Sequence, residues 1–219
     1  MTKEERIKNI LRLLDKEYGK EQICFLNYKK DYELLFATIL AAQCTDNRVN
    51  EVTKVLFKKY KSLKQFASCD IKELEEIVKP CGFYSSKAKN IFDTANILLE
   101  KYDGIVPSDI DELVKLKGVG RKTANVIRTN IYNIPSIVCD THVIRTSNLL
   151  GLGTKNDPKL LEKELEKNIP IKHWSRLNPQ LMSLGRTYCN ARKKQCDDCF
   201  LNKYCLYNEK NNKQNKKTK

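Results

Sequence analysis

Apolar residues recur at helical spacing along most of the chain. Ile7, Ile10, Leu11 and Leu14 follow an i, i+3, i+4, i+7 pattern, which predicts an amphipathic helix over 3–18. The same spacing predicts further helices over 47–60, 70–78, 86–102, 108–116, 121–132, 141–150, 158–167 and 177–187. The segment 32–43 is apolar nearly all round, which predicts a central buried helix. The sequence contains no convincing pair of alternating runs joined by a hairpin turn. The pattern therefore predicts an all-α fold.

The charge balance is strongly basic. The 219 residues include 41 Lys and Arg against 27 Asp and Glu, and the formal net charge of +14 indicates a polyanionic partner such as nucleic acid. Residues 210–219 contain five lysines and no acid, which predicts a disordered basic tail. The longest apolar run, 34–42, is much shorter than the roughly 20 residues that span a bilayer, so no membrane segment is expected.

Four of the nine cysteines lie close together in the sequence: Cys189, Cys196, Cys199 and Cys205. The odd cysteine count and the lack of a signal peptide after Met1 predict a reducing compartment, the cytoplasm. In such a compartment, four closely spaced thiols are typical of a metal site rather than of disulfides. Zinc and an iron–sulfur cluster both accept four cysteines, so the spacing by itself leaves the metal open.

A glycine turn separates two predicted helices in the middle of the chain. Gly118 and Gly120 stand in L-K-G-V-G-R-K-T, and glycine permits positive φ and close approach of the backbone. The amides that begin the next helix could then bind phosphate, although an ordinary glycine-capped turn has the same spacing. A Rossmann loop is excluded because a third glycine and a preceding strand are missing. A Walker A loop is excluded because Arg121 precedes Lys122 where that loop needs glycine.

Four motifs, in order, connect this turn with a known family. The segment L-K-G-V-G-R-K-T-A-N-V-I is followed by Asp140 in V-C-D-T-H. A-A-Q-C-T-D at 41–46 and G-F-Y-S-S-K-A at 82–88 precede it, and the four cysteines follow. Together these motifs resemble the helix-hairpin-helix, Gly/Pro-Asp DNA glycosylases, in particular the endonuclease III family. The resemblance extends over essentially the whole chain.

The resemblance implies a two-lobed all-α fold. A six-helix lobe with the helix-hairpin-helix would comprise 24–134, an iron–sulfur cluster lobe would comprise 1–23 and 135–209, and 210–219 would be the tail. The implied enzyme is a DNA glycosylase and abasic-site lyase that removes oxidised pyrimidines and nicks the strand by β-elimination. Its partner would be double-stranded DNA with a damaged base or abasic site. It would act as a monomer in the cytoplasm, on the nucleoid if the cell is bacterial.

The resemblance also implies the catalytic pair. Lys122 would form a Schiff base with the sugar, and Asp140 would stabilise the cationic sugar and help to activate the amine. The positive end of the helix dipole disfavours an ammonium on Lys122, and more so if that side chain is partly buried beside Arg121. Asp140 is expected to cap the helix that begins at Thr141, where backbone donors favour a carboxylate.

Further residues are implied to bind DNA or metal. Gln43 would fill the gap left by the extruded base, and Phe83 would insert as an apolar wedge. The expected DNA-binding residues are Gln43, Phe83, Gly118, Gly120, Arg121, Thr123, His142, Arg192 and Lys193. The expected ligands of a 4Fe-4S cluster are Cys189, Cys196, Cys199 and Cys205.

The sequence departs from the family pattern at two positions, and it leaves two other functions open as alternatives. Phe83 stands where bacterial members often have Leu, and Lys117 stands where the hairpin usually has Pro. A monofunctional mismatch glycosylase of the same superfamily would lack the nucleophilic Lys122. A noncatalytic, zinc-containing DNA-binding protein would keep the hairpin and the cysteines but would have no need of Asp140.

Overall fold

The chain divides into two compact units, each with its own hydrophobic core. The computed structural model describes residues 1–215, with side chains through residue 212. One unit consists of Met1–Ile23 together with Pro135–Lys219, and the other of Cys24–Ile134. Residues 1–215 contain no β-strand, only an isolated antiparallel bridge between Cys189 and Lys194. The predicted all-α fold is confirmed. Within the same residues, no helix is long and apolar enough to cross a bilayer.

Twelve α-helices are present in the described part of the chain. They are Lys3–Tyr18 (α1), Asp31–Leu40 (α2), Asp46–Lys59 (α3), Leu63–Ala67 (α4), Ile71–Val78 (α5), Tyr84–Lys101 (α6), Ile110–Leu113 (α7), Arg121–Tyr132 (α8), Thr141–Leu150 (α9), Pro158–Asn168 (α10), Trp174–Thr187 (α11) and Leu206–Asn215 (α12). Three short 3-10 helices span Lys79–Cys81, Ile171–His173 and Asn202–Tyr204.

The core of the unit 24–134 is built around α2. Every residue of α2 from Glu33 to Leu40 is buried, because α3, α6 and α8 all pack against this helix. The ring centroids of Phe36 in α2 and Phe66 in α4 lie 4.8 Å apart in an edge-to-face arrangement, which is a favourable aromatic geometry.

The unit 24–134 holds seven α-helices where the resemblance implied six. The additional helix is α4, which is capped by the Ser62 side chain. With only five residues, α4 is too short to show an i, i+3, i+4, i+7 repeat, and the periodicity therefore missed it.

The other unit is assembled from α1 and α9–α12. The predicted stripe of α1 is buried, and α1 packs against α11, which also packs against α9. Asp15 of α1 accepts hydrogen bonds from the Arg176 guanidinium at 2.7 and 2.9 Å and from Gln180 Nε2 at 3.1 Å. This partly buried network joins α1 to α11.

Two predicted boundaries need correction. The helix predicted over 108–116 is the shorter α7, Ile110–Leu113, whose N-cap is Asp109, because the Asp109 carboxylate accepts from the amides of Asp111 and Glu112. The predicted disordered tail is wrong over 210–215, which belong to α12. Glu209 in α12 pairs with the nearly buried Arg6 at 2.5 Å and ties this helix to α1. The rest of the predicted tail, 216–219, lies outside the described residues.

Candidate active site

The glycine turn lies between α7 and α8 and is fixed to α6. Gly118 has φ +75°, and a Cβ there would come within 2.8 Å of Nδ2 of Asn90 in α6. The Thr94 hydroxyl of α6 donates to the Lys117 carbonyl at 3.1 Å, and this hydrogen bond also attaches the turn to α6. Gly118 is therefore required both by its backbone conformation and by the close approach of α6.

Gly120 differs from Gly118 because the fold itself does not require a glycine there. Its φ of −95° is accessible to any residue, and a Cβ would meet no atom within 4 Å. Gly120 is exposed and is the N-cap of α8. The first amides of a helix have no acceptor within the helix and carry the positive end of its dipole, so the bare backbone at Gly120 leaves room for an anion to approach them.

The two expected catalytic residues both lie at helix N-termini. Lys122 is the second residue of α8 and is exposed, so the partial burial considered from the sequence is not observed. Its neighbours Arg121 and Thr123 are half-buried in the same first turn. Asp140 is the N-cap of α9, as predicted, and its Oδ1 accepts from the Val143 amide at 2.8 Å. Lys122 belongs to the unit 24–134 and Asp140 to the other unit.

The segment that leads into Asp140 is buried and has no regular secondary structure. Residues 136–139 are all buried, and Asn178 Nδ2 of α11 donates to the Val138 carbonyl at 3.0 Å. Burial, together with the nearby carboxylates of Glu162 and Asp140, raises the pKa of Cys139 to about 12. The Cys139 thiol therefore stays protonated at neutral pH, which agrees with a packing role for this residue.

Gln43 and Phe83 are both exposed and both have left-handed backbone conformations. Phe83 is 67% exposed, so it is not a core aromatic, and its φ is +47°. Gln43 has φ +54° and follows the end of α2. For residues other than glycine this conformation costs about 1–2 kcal/mol each and persists only where surrounding contacts hold it. The sequence did not predict either backbone conformation.

Lys87 in α6 is buried between the segments that carry Gln43 and Phe83. Its ammonium donates to the carbonyls of Leu40 at 2.9 Å, Ala42 at 2.7 Å and Cys81 at 2.8 Å. Burial lowers the pKa of Lys87, although the neighbouring thiols act in the opposite direction. Lys87 is the lysine of the G-F-Y-S-S-K-A motif, but the sequence alone did not give it a definite role. The available signal was its position on the apolar stripe of α6, which also contains Ala88, Ile91, Thr94, Ala95 and Leu98.

His142 and the basic residues of the cysteine loop lie in the unit 1–23 and 135–215. His142 Nδ1 is 3.3 Å from the Arg145 guanidinium, and both pack against Gly185, where a Cβ would come within 2.8 Å of either side chain. Arg145 also donates to the Cys189 carbonyl at 3.1 Å. Arg192 and Lys193 are exposed in the loop that follows Cys189.

The four C-terminal cysteines line one small cavity as free thiols. Leu150, Leu184 and Tyr207 contribute to the same lining. Burial, reinforced by Cys205 and Cys199, raises the pKa of Cys189 to about 11, while Arg145 and Lys194 oppose that rise. Among residues 1–215, no group of three or more His, Cys, Asp or Glu side chains is placed to hold a metal ion. The cavity nevertheless offers four sulfur donors and two nearby cations, a chemistry that suits an anionic thiolate-bound group.

The chain matches a described protein family over most of its length. Residues 36–171 match the model of the HhH-GPD superfamily base excision DNA repair proteins. The glycine turn, α8 and Asp140 all lie within this match. The fold and the site thus define a base-excision DNA repair protein of the helix-hairpin-helix class.

More detailed similarities narrow this class. The chain is 42% identical to endonuclease III of Bacillus subtilis over 191 residues, which cover 87% of each chain. A non-covalent endonuclease III–DNA complex superimposes with a TM-score of 0.89 at 39% identity, covering 97% of this chain and 100% of that one. A trapped endonuclease III–DNA covalent intermediate gives a TM-score of 0.88 at 40% identity, covering 96% and 99%. The chain belongs to the endonuclease III family.

Proposed function

We propose that this chain is a bifunctional base-excision enzyme. It removes oxidised pyrimidines from duplex DNA as a glycosylase and then cleaves the resulting abasic site as a lyase. The observation that carries the proposal is Lys122 in the exposed first turn of α8, directly after the glycine turn. An endonuclease III trapped as a covalent DNA intermediate is 40% identical to this chain, which supports a nucleophilic residue in the site.

Lys122 and Asp140 divide the chemistry between them. The neutral amine of Lys122 attacks C1′ of the damaged nucleotide, the N-glycosidic bond breaks, and the base leaves with the bonding electrons. Loss of a proton from nitrogen and opening of the sugar produce the imine. Removal of a C2′ proton then expels the 3′ phosphate, and water hydrolyses the imine. The Asp140 carboxylate, oriented by the Val143 amide, stabilises the positive charge that develops on the sugar.

The remaining predicted residues bind the DNA. Gln43 and Phe83 occupy the space vacated by the extruded nucleotide. The backbone at Gly118 and Gly120 and the first turn of α8, with Arg121 and Thr123, bind phosphate. His142 contacts the strand near Asp140, and Arg192 and Lys193 add phosphate contacts. We place this activity in the cytoplasm, on the nucleoid if the cell is bacterial, with the protein acting as a monomer.

The four cysteines hold a 4Fe-4S cluster in this proposal. Cys189, Cys196, Cys199 and Cys205 supply one thiolate each, and their shared cavity and free thiols support that assignment. When bound, the cluster supplies a fixed anchor for the loop that carries Arg192 and Lys193. The raised pKa of Cys189 means that binding must displace a proton from this thiol.

Borohydride trapping tests the nucleophile. We expect the chain to nick thymine-glycol DNA but not undamaged DNA and to form a covalent adduct with borohydride. Lys122→Gln should abolish both nicking and adduct. Lys115→Gln is the matched control, because Lys115 is also exposed and lies in the same helix-hairpin-helix segment. An adduct that survives Lys122→Gln would reject Lys122 as the nucleophile.

The same assay separates the alternative functions. A monofunctional mismatch glycosylase would excise a base without forming the adduct. A noncatalytic DNA-binding protein would bind the duplex and leave both DNAs intact. Either outcome with the unsubstituted chain would overturn the proposed function.

A further inference from the structure

Lys87 uses its full hydrogen-bonding capacity inside the protein. Lys87 is 4% exposed, and the three donors of its ammonium are matched by the carbonyls of Leu40, Ala42 and Cys81. A buried cation with all of its donors occupied cannot also bind a DNA phosphate directly. Any contribution of Lys87 to DNA binding must therefore act through the segments that it holds.

The three acceptors lie where two short segments leave their helices. Leu40 is the last residue of α2, Ala42 directly precedes Gln43, and Cys81 ends the 3-10 helix two residues before Phe83. Terminal helix carbonyls lack partners within the helix and carry partial negative charge, so a buried ammonium satisfies them well. One side chain thus ties the end of α2 to the turn that begins α6.

The two tied segments end in the strained, exposed residues Gln43 and Phe83. The Ala42 carbonyl belongs to the peptide unit that includes the Gln43 nitrogen, so its bond to Lys87 directly restrains the orientation of that peptide. Phe83 is restrained from the other side, because its carbonyl accepts from the Lys87 amide at 3.0 Å within the first turn of α6. Contacts of this kind can keep left-handed residues in one conformation.

We propose that Lys87 is a positioning residue for base extrusion, whose ammonium holds the Gln43 and Phe83 segments in a fixed relation before DNA binds. This proposal rests on the proposed function, in which Gln43 and Phe83 occupy the opened stack. Preorganisation matters because a displacement of about 1 Å at residues that position a substrate can lower the rate by about 100-fold.

Substitution of Lys87 tests the proposal. Lys87→Met removes the donors while keeping an unbranched side chain, and Lys87→Arg can still donate to the same carbonyls. The matched control is Lys89→Met, which removes one charge from the exposed side of α6. The readouts are the single-turnover excision rate on a thymine-glycol duplex, the cleavage rate of a preformed abasic site, and 2-aminopurine fluorescence, which reports unstacking.

We expect Lys87→Met to lower excision and unstacking on the thymine-glycol duplex by roughly 10- to 100-fold. Cleavage of the preformed abasic site should fall much less, because no base has to leave the stack. Lys87→Arg should recover part of the loss, and Lys89→Met should match the unsubstituted chain. Equal losses on both substrates would indicate general destabilisation and overturn the proposal.

A double-mutant cycle supplies a second, independent measurement. If Lys87 acts through Gln43 and Phe83, Lys87→Met should cost less than about twofold in a background with both residues changed to Ala. A full additive loss in that background would contradict the proposal. If Lys87→Met does not fold, Lys87→Gln, which keeps two donors, takes its place in the same cycle.

The experiments distinguish failure of the proposed role of Lys87 from failure of the proposed function. If the unsubstituted chain leaves thymine-glycol DNA intact, the proposed function is wrong. If that chain is active and Lys122→Gln abolishes adduct formation while Lys87→Met behaves like Lys89→Met, only the role of Lys87 is wrong.

Discussion

At the residue scale, the two glycines of the hairpin have separable roles. Gly118→Ala should lower the free energy of unfolding by about 2 kcal/mol, because Ala is strained at φ +75° and its Cβ would press on Asn90. Gly120→Ala should change stability by less than about 0.5 kcal/mol, since its φ is ordinary and the space is open. The same change should weaken binding to abasic-site DNA about tenfold, or 1.4 kcal/mol, by obstructing a phosphate.

Urea unfolding and a DNA titration check both variants, and each is the control for the other. Equal destabilisation by the two substitutions would contradict the geometric distinction. Unchanged DNA affinity of Gly120→Ala would remove Gly120 from the phosphate site.

At the element scale, the attachment of α1 to α11 depends on Asp15. Burial would raise the pKa of Asp15, but the hydrogen bonds from Arg176 and Gln180 outweigh that effect and lower the pKa below its usual range. His173 faces the same carboxylate, and burial and Arg176 lower its own pKa. Asp15→Asn should therefore cost about 2 kcal/mol at pH 7, because it removes the charge opposite a largely buried Arg176.

The pH dependence of this loss follows from the lowered pKa. The stabilisation by Asp15 is fully present above the ordinary aspartate pKa of about 4 and is lost as the pH falls through the lower folded-state value. Urea unfolding of both proteins at pH 7, 5 and below 4 should show their difference shrinking only in the most acidic samples. The control is Glu51→Gln, which breaks an exposed pair with Arg48 and should cost less than about 0.5 kcal/mol. A pH-independent Asp15→Asn loss would contradict the ionic origin.

At the scale of the whole molecule, the two units have separate hydrophobic cores. Loss of the cluster from the cysteine site should therefore loosen only the unit that contains the site. Cys189→Ser should reduce the iron and sulfide content and increase amide exchange around 188–209 and at the end of α9, because Leu149 and Leu150 of that helix line the same cavity as the four cysteines. The helices α2 and α6 belong to the other unit, and the amides of their buried residues should keep their protection.

Iron and sulfide analysis, visible absorption and hydrogen exchange provide the measurements. Cys24→Ser, which lies outside the cavity, is the control and should retain the brown colour. A colourless protein that releases zinc would reject the 4Fe-4S assignment, and loss of protection throughout α2 and α6 would reject the local effect.

Predictions from periodicity succeeded where one face of a long helix meets a core. The stripe of α1 was of this kind and is buried. The segment of α2, which is apolar nearly all round, was also correctly predicted to be a buried helix. Periodicity did not reveal α4, which is too short to show a repeat. The polar composition of the C-terminal segment gave no sign of α12, which is held by the pair of Glu209 with Arg6. Contacts between residues about 200 positions apart cannot be seen in a local pattern.

The sequence by itself determined the all-α class, the glycine turn before Lys122 and the cap at Asp140, because helical periods, turns and caps depend on neighbouring residues. The tertiary structure decided the features that depend on contacts between residues far apart in the sequence. Asn90 requires glycine at 118, and Lys87 joins two segments that are about 40 residues apart in the chain. The left-handed conformations of Gln43 and Phe83 also belong to this second group, since only surrounding contacts can hold them.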